Sequence, residues 1–365
     1  MTTTPTETTT TELQPLVPVP TSAEPARIAA LQDGLLAWYA ANRRDLPWRQ
    51  TRDPYKILLS EMMLQQTQVP RVLPRWLAWL ERFPTLEALA AAPTADVLRE
   101  WSGLGYNSRA IRLQAVARHV VGEFGGQMPR DVATLRSLPG IGDYTARAVA
   151  CFAYEQDVPV LDTNVKRVLH RVLIGADAPK PLLNDRQLWA LADEAVPLGR
   201  GYDWNQALMD FGSSICTARK PACLICPLRE SCLAAPTIAT ALAEQQGTRR
   251  RTAKVGGAAI PFTSTARYFR GQTLRILGAQ PGNAGVDLAA LGAQVKADYT
   301  LTDQPWLYDL IATLHRDGLV TMHPAPAPAA PSAVHEQQAT YATDGETSDL
   351  PPPDLSGIRV SLPIG

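Results

Sequence analysis

Residues Cys216 to Cys232 read CTARKPACLICPLRESC, four cysteines separated by six, two and five residues. Pro221 and Pro227 lie between them and favour tight turns, so the four thiols can converge. Two disulfides would be out of place in a chain with no secretory signal. A tetrathiolate site remains, for zinc or for an iron–sulfur cluster, since both accept four cysteinates. The fifth cysteine, Cys151 in AVACFAYE, sits on an apolar helical stretch and reads as core.

Around this loop the chain has 365 residues, 45% of them hydrophobic, enough for two domains with real cores. No apolar run approaches the roughly 20 residues of a membrane helix. The start, MTTTPTETTTTELQPLVPVPTSAEP, lacks the basic opening and apolar core of a signal peptide. The expected compartment is therefore the cytoplasm, with no membrane partner. The net charge of zero hides a segregation: residues 1–24 hold three acids and no Lys or Arg, and residues 325–365 hold five acids against Arg359. The body between them is positive, which permits a polyanionic partner. Both tails, 1–24 and 324–365, are rich in Thr, Pro and Ala and poor in large apolar residues, and they read as disordered.

Between residues 25 and 236 apolar positions recur at three and four residues, as in RIAALQDGLLAWYAANR, RVLPRWLAWLERF and DRQLWALADEAV. Pro and Gly punctuate the pattern often, and no alternating β-branched run is long enough for a sheet. A mostly α domain of short helices follows. Residues 237–260 turn polar and basic (QQGTRRRTAKVGG) and read as a linker. Residues 261–323 regain helical patterning and end in DGLVTMH, which fits a small winged-helix module with Leu319, Val320 and Thr321 opening a strand. Taken with the cysteine loop, that module also fits a non-catalytic zinc-bearing DNA-binding protein.

Three further stretches carry chemistry. LPGIGDYTARAVACFAY (Leu138 to Tyr154) brings Gly140 and Gly142 into a helix start, where both allow backbone conformations closed to other residues and the exposed amides can hold a phosphate oxygen. In VPVLDTNVKRVLHRVL, Asp162 precedes a periodic helix and fits an N-cap, where its negative charge is favoured. Lys166 and Arg167 on that helix would face DNA. In KILLSEMMLQQTQV, Glu61 stands among aliphatic residues, a setting that raises a carboxyl pKa and lets it hold a proton near neutrality.

Together the Cys-x6-Cys-x2-Cys-x5-Cys loop after an all-helical region, the PGIG hairpin, LDTNVKRV and SEMMLQQTQV resemble the helix-hairpin-helix DNA glycosylases, the superfamily of endonuclease III and the MutY-type adenine glycosylases. The resemblance covers roughly residues 28 to 235. It implies a two-lobed helix-hairpin-helix domain with a [4Fe–4S] cluster held by Cys216, Cys223, Cys226 and Cys232. In that family the cluster shapes a basic loop, here bearing Arg219 and Lys220, against the phosphate backbone. Glu61 would protonate adenine at N7, and Asp162, held by Asn164, would stabilise the developing sugar cation. Tyr144 occupies the position of the lyases' nucleophilic lysine, which implies a monofunctional enzyme that leaves an abasic site. By the same resemblance Gln66 and Tyr106 wedge into the duplex, Trp48, Arg49, Leu64 and Gln206 line the adenine pocket, and Gly140, Gly142 and Lys166 hold DNA. The implied partner is double-stranded DNA with an adenine mispaired with 8-oxoguanine or guanine, bound by a monomer at the nucleoid. Tyr144 also suits the thymine mismatch glycosylases of the superfamily, which keeps a thymine or uracil glycosylase as a rival. The chain departs from the adenine glycosylases at its C-terminus: residues 245–323 are too short and too helical for a MutT-like domain, and no Phe-Ser-His signature is present.

Overall fold

The computed structural model describes residues 24–178, 180–253, 261–323 and 357–364. Its helices are α1 (Pro25–Asn42), α2 (Pro54–Leu64), α3 (Val69–Arg82), α4 (Leu86–Ala91), α5 (Thr94–Glu100), α6 (Ser108–Phe124), α7 (Val132–Ser137), α8 (Asp143–Tyr154), α9 (Thr163–Leu173), α10 (Asp185–Ala195), α11 (Gly201–Ser214), α12 (Ile238–Ala253), α13 (Ala266–Gly278), α14 (Leu288–Val295) and α15 (Gln304–Arg316). The strands are β1 (Val286–Asp287), β2 (Thr321–His323) and β3 (Arg359–Ser361). The described residues fall into two compact units, one within Met1–Arg44 and Gln156–Val255, the other within Asp45–Glu155 and Gly256–Gly365. None of the helices is long and apolar enough to cross a membrane.

In the first unit, α1 packs on α11 and α9 through Leu31, Leu35, Val168, Trp204, Leu208 and Phe211. The cluster loop closes against this core, with Leu228 inserted close to Gly34 of α1. A Cβ on Gly34 would meet the Leu228 side chain at 2.7 Å, so the helix needs glycine there.

In the second unit, α2 starts where Asp53 accepts from the amides of Tyr55 and Lys56 and where Pro54 presets the first turn. Tyr55 and every residue from Ile57 to Met63 are buried, Glu61 included. A helix buried on all sides has no solvent face. That is why an acid on it cannot reach bulk water. Helix α8 packs along α2, α4 packs on α6, and α7 precedes α8 in the hairpin.

Two expectations need correcting. Residues 238–253 of the expected linker form helix α12, which is anchored by buried Ile238 and Leu242 against Ala234 and Ala178. Its basic run concealed an apolar start that has a core to pack on. Likewise, part of the expected disordered tail is β3, the central strand of a sheet ordered β1-β3-β2. Val360 in the strand and Leu362 just after it are buried, and a three-residue strand suffices when both neighbours are already in place. The remaining tail residues, 1–23 and 324–356, lie outside the described residues. The C-terminal module thus runs helix, strand, helix, helix, strand, strand, the winged-helix order, around Leu277, Leu288, Leu291, Leu307, Ile311 and Leu314.

Candidate active site and cluster loop

Glu61 is 6% exposed, and the Tyr144 hydroxyl donates to its Oε2 at 2.6 Å. At this distance the hydroxyl fixes the orientation of the Glu61 carboxyl group. Tyr144 reaches Glu61 because it occupies the first turn of α8, directly after the hairpin. Gly140 there has φ +75°, a conformation that favours glycine, and a Cβ on it would meet the Arg112 side chain at 3.0 Å. Gly142 differs from expectation. Its φ of −99° is open to any residue, and nothing stands within 4 Å of where a Cβ would be. It caps α8 without a side-chain acceptor, which leaves the helix start open to an outside one.

Leu64 ends α2, and Gln66 follows in the left-handed region at φ 57°. Tyr106 is also left-handed, at φ 48°. Such backbone in non-glycine residues needs surrounding structure to hold it. Arg109 supplies that structure, and the sequence reading missed it. Only 4% exposed, it donates to the carbonyls of Met62, Met63 and Gln65 through Nη1 at 2.7, 2.9 and 2.7 Å. Through Nη2 it donates to Thr67 Oγ1 and to the carbonyls of Leu104 and Gly105. One guanidinium therefore ties the end of α2 to the loop carrying Tyr106. The signal was present: Arg109 falls in the apolar stripe of Ala110, Leu113, Ala117 and Val120, where a cation needs a reason. Trp48 is buried edge-on to Trp76, and half-buried Arg49 follows it.

In the other unit, Asp162 is both a cap and a candidate for chemistry. Its Oδ1 accepts from the amides of Asn164 and Val165 at 2.8 and 2.7 Å, and its Oδ2 accepts from Asn164 Nδ2 at 2.9 Å. These donors occupy both oxygens and fit the ionised form. Asn164 Oδ1 accepts from Arg167 Nη2, which also donates to the Gly212 carbonyl, while Arg167 Nε donates to the Cys216 carbonyl at 2.7 Å. Arg167 therefore links the aspartate to the cluster loop and is not directed outward as expected. Lys166 pairs with Asp185 at 2.7 Å, so its charge is partly balanced. Gly212 faces Asn164, whose Cβ stands 2.7 Å from where a Cβ on Gly212 would be. Gln206 is buried on α11 of this unit, whereas Trp48, Arg49 and Leu64 belong to the other.

The four loop cysteines are free thiols, and all four line one cavity walled by Val172, Phe211, Ile215 and Ile238. Burial pushes the thiols of Cys216 and Cys232 up, and that of Cys226 up to about 11. Arg171 is the counter-charge: Nη1 is 3.8 Å from Cys216 Sγ and donates to the Thr217 carbonyl at 2.8 Å. Among the described residues no three His, Cys, Asp or Glu converge on a single ion. Four thiols around one cavity can serve a cubane, which takes one thiolate at each iron corner. The donor set fits a cluster. Arg219 and Lys220 are exposed on the same loop.

Residues 59–194 match the HhH-GPD superfamily base excision DNA repair proteins, and residues 216–232 match the iron–sulfur binding domain of endonuclease III. The second match sets zinc aside. The chain is 50% identical over 224 residues to the adenine DNA glycosylase of Mycolicibacterium smegmatis, which is 60% of this chain and 75% of that protein. It is 46% identical over 219 residues to the adenine DNA glycosylase of Homo sapiens, 57% of this chain and 40% of the human protein. Among solved structures, a thermostable thymine-DNA glycosylase superposes with a TM-score of 0.54 at 33% identity, over 58% of this chain and 97% of that one. An endonuclease III–DNA covalent intermediate superposes with a TM-score of 0.50 at 22% identity, over 57% of this chain and 94% of that one, a likeness of fold.

Proposed function

The chain belongs to the family of adenine DNA glycosylases, and on that premise we propose that it removes adenine mispaired with 8-oxoguanine or guanine by hydrolysis, leaving an abasic site. The observation that carries this reading is the Tyr144–Glu61 hydrogen bond. At the position where the lyases of the superfamily hold an amine, this chain holds a hydroxyl committed to a buried acid. That leaves no nucleophile for a Schiff base there and supplies a fixed proton donor for the base.

Tyr144 holds the Glu61 carboxyl group that carries the transferable proton. Extrusion of the nucleotide brings the base to the enzyme. Glu61 protonates adenine N7 as the bond from C1′ to N9 breaks, and the electron pair leaves with the base. Asp162 faces the positive charge that develops on the sugar as an anion already supplied with hydrogen-bond donors, so little reorganisation is needed. Water then attacks C1′ and returns a proton to Glu61, which regenerates the acid. Trp48, Arg49, Leu64 and Gln206 are the residues we assign to the base, and Gln66 and Tyr106 to the space it vacates. The cluster supplies no step; when bound it holds the loop that presents Arg219 and Lys220 to phosphate. We place the enzyme in the cytoplasm at the nucleoid, acting as a monomer.

Single-turnover base release from duplexes with A opposite 8-oxoguanine, A opposite G and T opposite G tests the reading. Adenine is expected to be released, with Glu61→Gln slower by about two to four orders of magnitude. Tyr144→Phe should be slower by roughly ten-fold to a hundred-fold, the worth of a hydrogen bond to a charged group. Thymine released in preference to adenine would establish the thymine glycosylase reading, which the 33%-identical structural neighbour favours.

A further inference from the structure

Within the second unit, the C-terminal module packs beside Tyr106. The Arg267 guanidinium carbon lies 4.2 Å from the centroid of the Tyr106 ring, and at the other end of α13 the Gly278 carbonyl accepts from Arg99 Nε at 3.1 Å. Helix α13 is therefore held at both ends, with its first turn laid against the loop that Arg109 organises.

Charge on the module is segregated. Residues 261–323 hold four Arg, one Lys and five Asp, yet α13 carries Arg267, Arg270 and Arg275 and no acid. Arg270 pairs with Asp317 at 2.5 Å, and Arg275 bonds Gln272. Arg267 is exposed, and among the described residues it has neither a hydrogen bond nor an ion pair. It also stands in the first turn of its helix, where the macrodipole disfavours a cation. Two more guanidiniums gather at the same loop. Arg109 lies 5.5 Å from the Tyr106 ring, and exposed Arg75 has Nη2 at 3.2 Å from where a Cβ on Gly103 would stand. Arg267 is near enough to Arg109 to lower its pKa. Three cations around one aromatic loop repel each other, and the stack on the ring offsets only part of that. A polyanion placed over the loop removes the repulsion.

We propose that Arg267 is a DNA-phosphate contact, supplied by the C-terminal module and positioned by its stack on Tyr106. The inference rests on the DNA-repair reading above, and it gives the module a role in holding the duplex where Tyr106 enters it. Each phosphate contact contributes about −0.9 to the slope of log affinity against log salt.

The test is equilibrium binding of a short undamaged duplex by the full chain across a salt series, with thermal unfolding of the same samples. Arg267→Gln should make the slope shallower by about 0.9, and Arg267→Lys should keep it. Arg275→Gln, on the same helix, should leave the slope as it is. An unchanged slope in Arg267→Gln overturns the inference. So does an equal change in Arg275→Gln, because the effect would then be diffuse charge. A lowered unfolding temperature with an unchanged slope overturns it too, since the stack would be structural only. The binding measurement needs no excision. Failure of the adenine assignment would therefore leave it standing, and its own failure would leave the adenine assignment untouched.

Discussion

Arg109 in one unit and Arg171 in the other are both nearly inaccessible, at 4% and 2% exposed, and both donate to loop carbonyls. Their charges are met differently. Arg171 has the Asp177 carboxylate at 2.6 Å and the Cys216 sulfur beside it, so this guanidinium is itself balanced, and cluster thiolates would complete the compensation. Among the described residues Arg109 is met by carbonyl dipoles, the Thr67 hydroxyl and the rings of Trp101 and Tyr106, with no carboxylate, and burial brings its pKa down to about 10. The difference assigns roles. A balanced arginine builds a loop that binds its own cofactor; an unbalanced one leaves a loop with positive charge to offer to DNA.

The sharpest way to break this comparison is to remove the cluster, by Cys226→Ser or by iron chelation. Structural metal sites are worth as much as ~10–16 kcal/mol, so this is the largest expected effect. Without the cluster the buried thiols stay protonated at neutral pH, because burial raises the Cys216, Cys226 and Cys232 thiols, and Arg171 keeps Asp177 alone. Amide hydrogen exchange should show residues 216–235 losing protection while residues 101–109 keep theirs. Equal loss in both would mean that the two loops are not independent.

Next in size are Arg171→Met and Arg109→Met, each expected to cost about 3–5 kcal/mol in denaturant unfolding. The first strands a carboxylate; the second leaves several dry carbonyls at about 1–3 kcal/mol apiece. Adding Asp177→Asn should recover part of the Arg171→Met loss. If it recovers none, the Asp177 pair is not what balances that loop.

The smallest effect is the pH response of the cluster unit. His170 is buried, bonded through Nδ1 to the Gly175 carbonyl and through Nε2 to the Leu182 amide. Burial lowers its pKa below 6.5. The folded protein holds it neutral while the unfolded chain takes up a proton as pH falls through about 6.5. Stability from this residue is thus complete above pH ~6.5 and declines below it. The decline should be shallower in His170→Gln, measured by thermal unfolding from pH 7.5 to 5 in ~0.5 steps.

Much of this was legible in the chain. The cysteine spacing, the helical periodicity and the acid in an apolar run each follow from short-range pattern, and the structure places them as expected. What escaped were features decided at long range. Arg109 acts on carbonyls some forty residues earlier, and only its place in an apolar stripe hinted at this. Arg167 read as a surface cation because sequence cannot show that Cys216 returns beside it. Strand β3 was invisible in an acidic, Pro-rich tail because a three-residue strand has no period to read. Gly142 looked conformationally special by its company with Gly140, yet only Gly140 has positive φ.

The first unit is also discontinuous along the chain, and this bears on synthesis. Helix α1 leaves the ribosome with Ile28, Leu31 and Leu35 bare, while its partners on α9 and α11 lie beyond the whole stretch Asp45–Glu155. At roughly 5–20 residues per second, α1 waits on the order of ten to thirty seconds for them. Throughout that interval the apolar face of α1 lacks its partners on α9 and α11, so this helix is a surface that a ribosome-associated chaperone would protect.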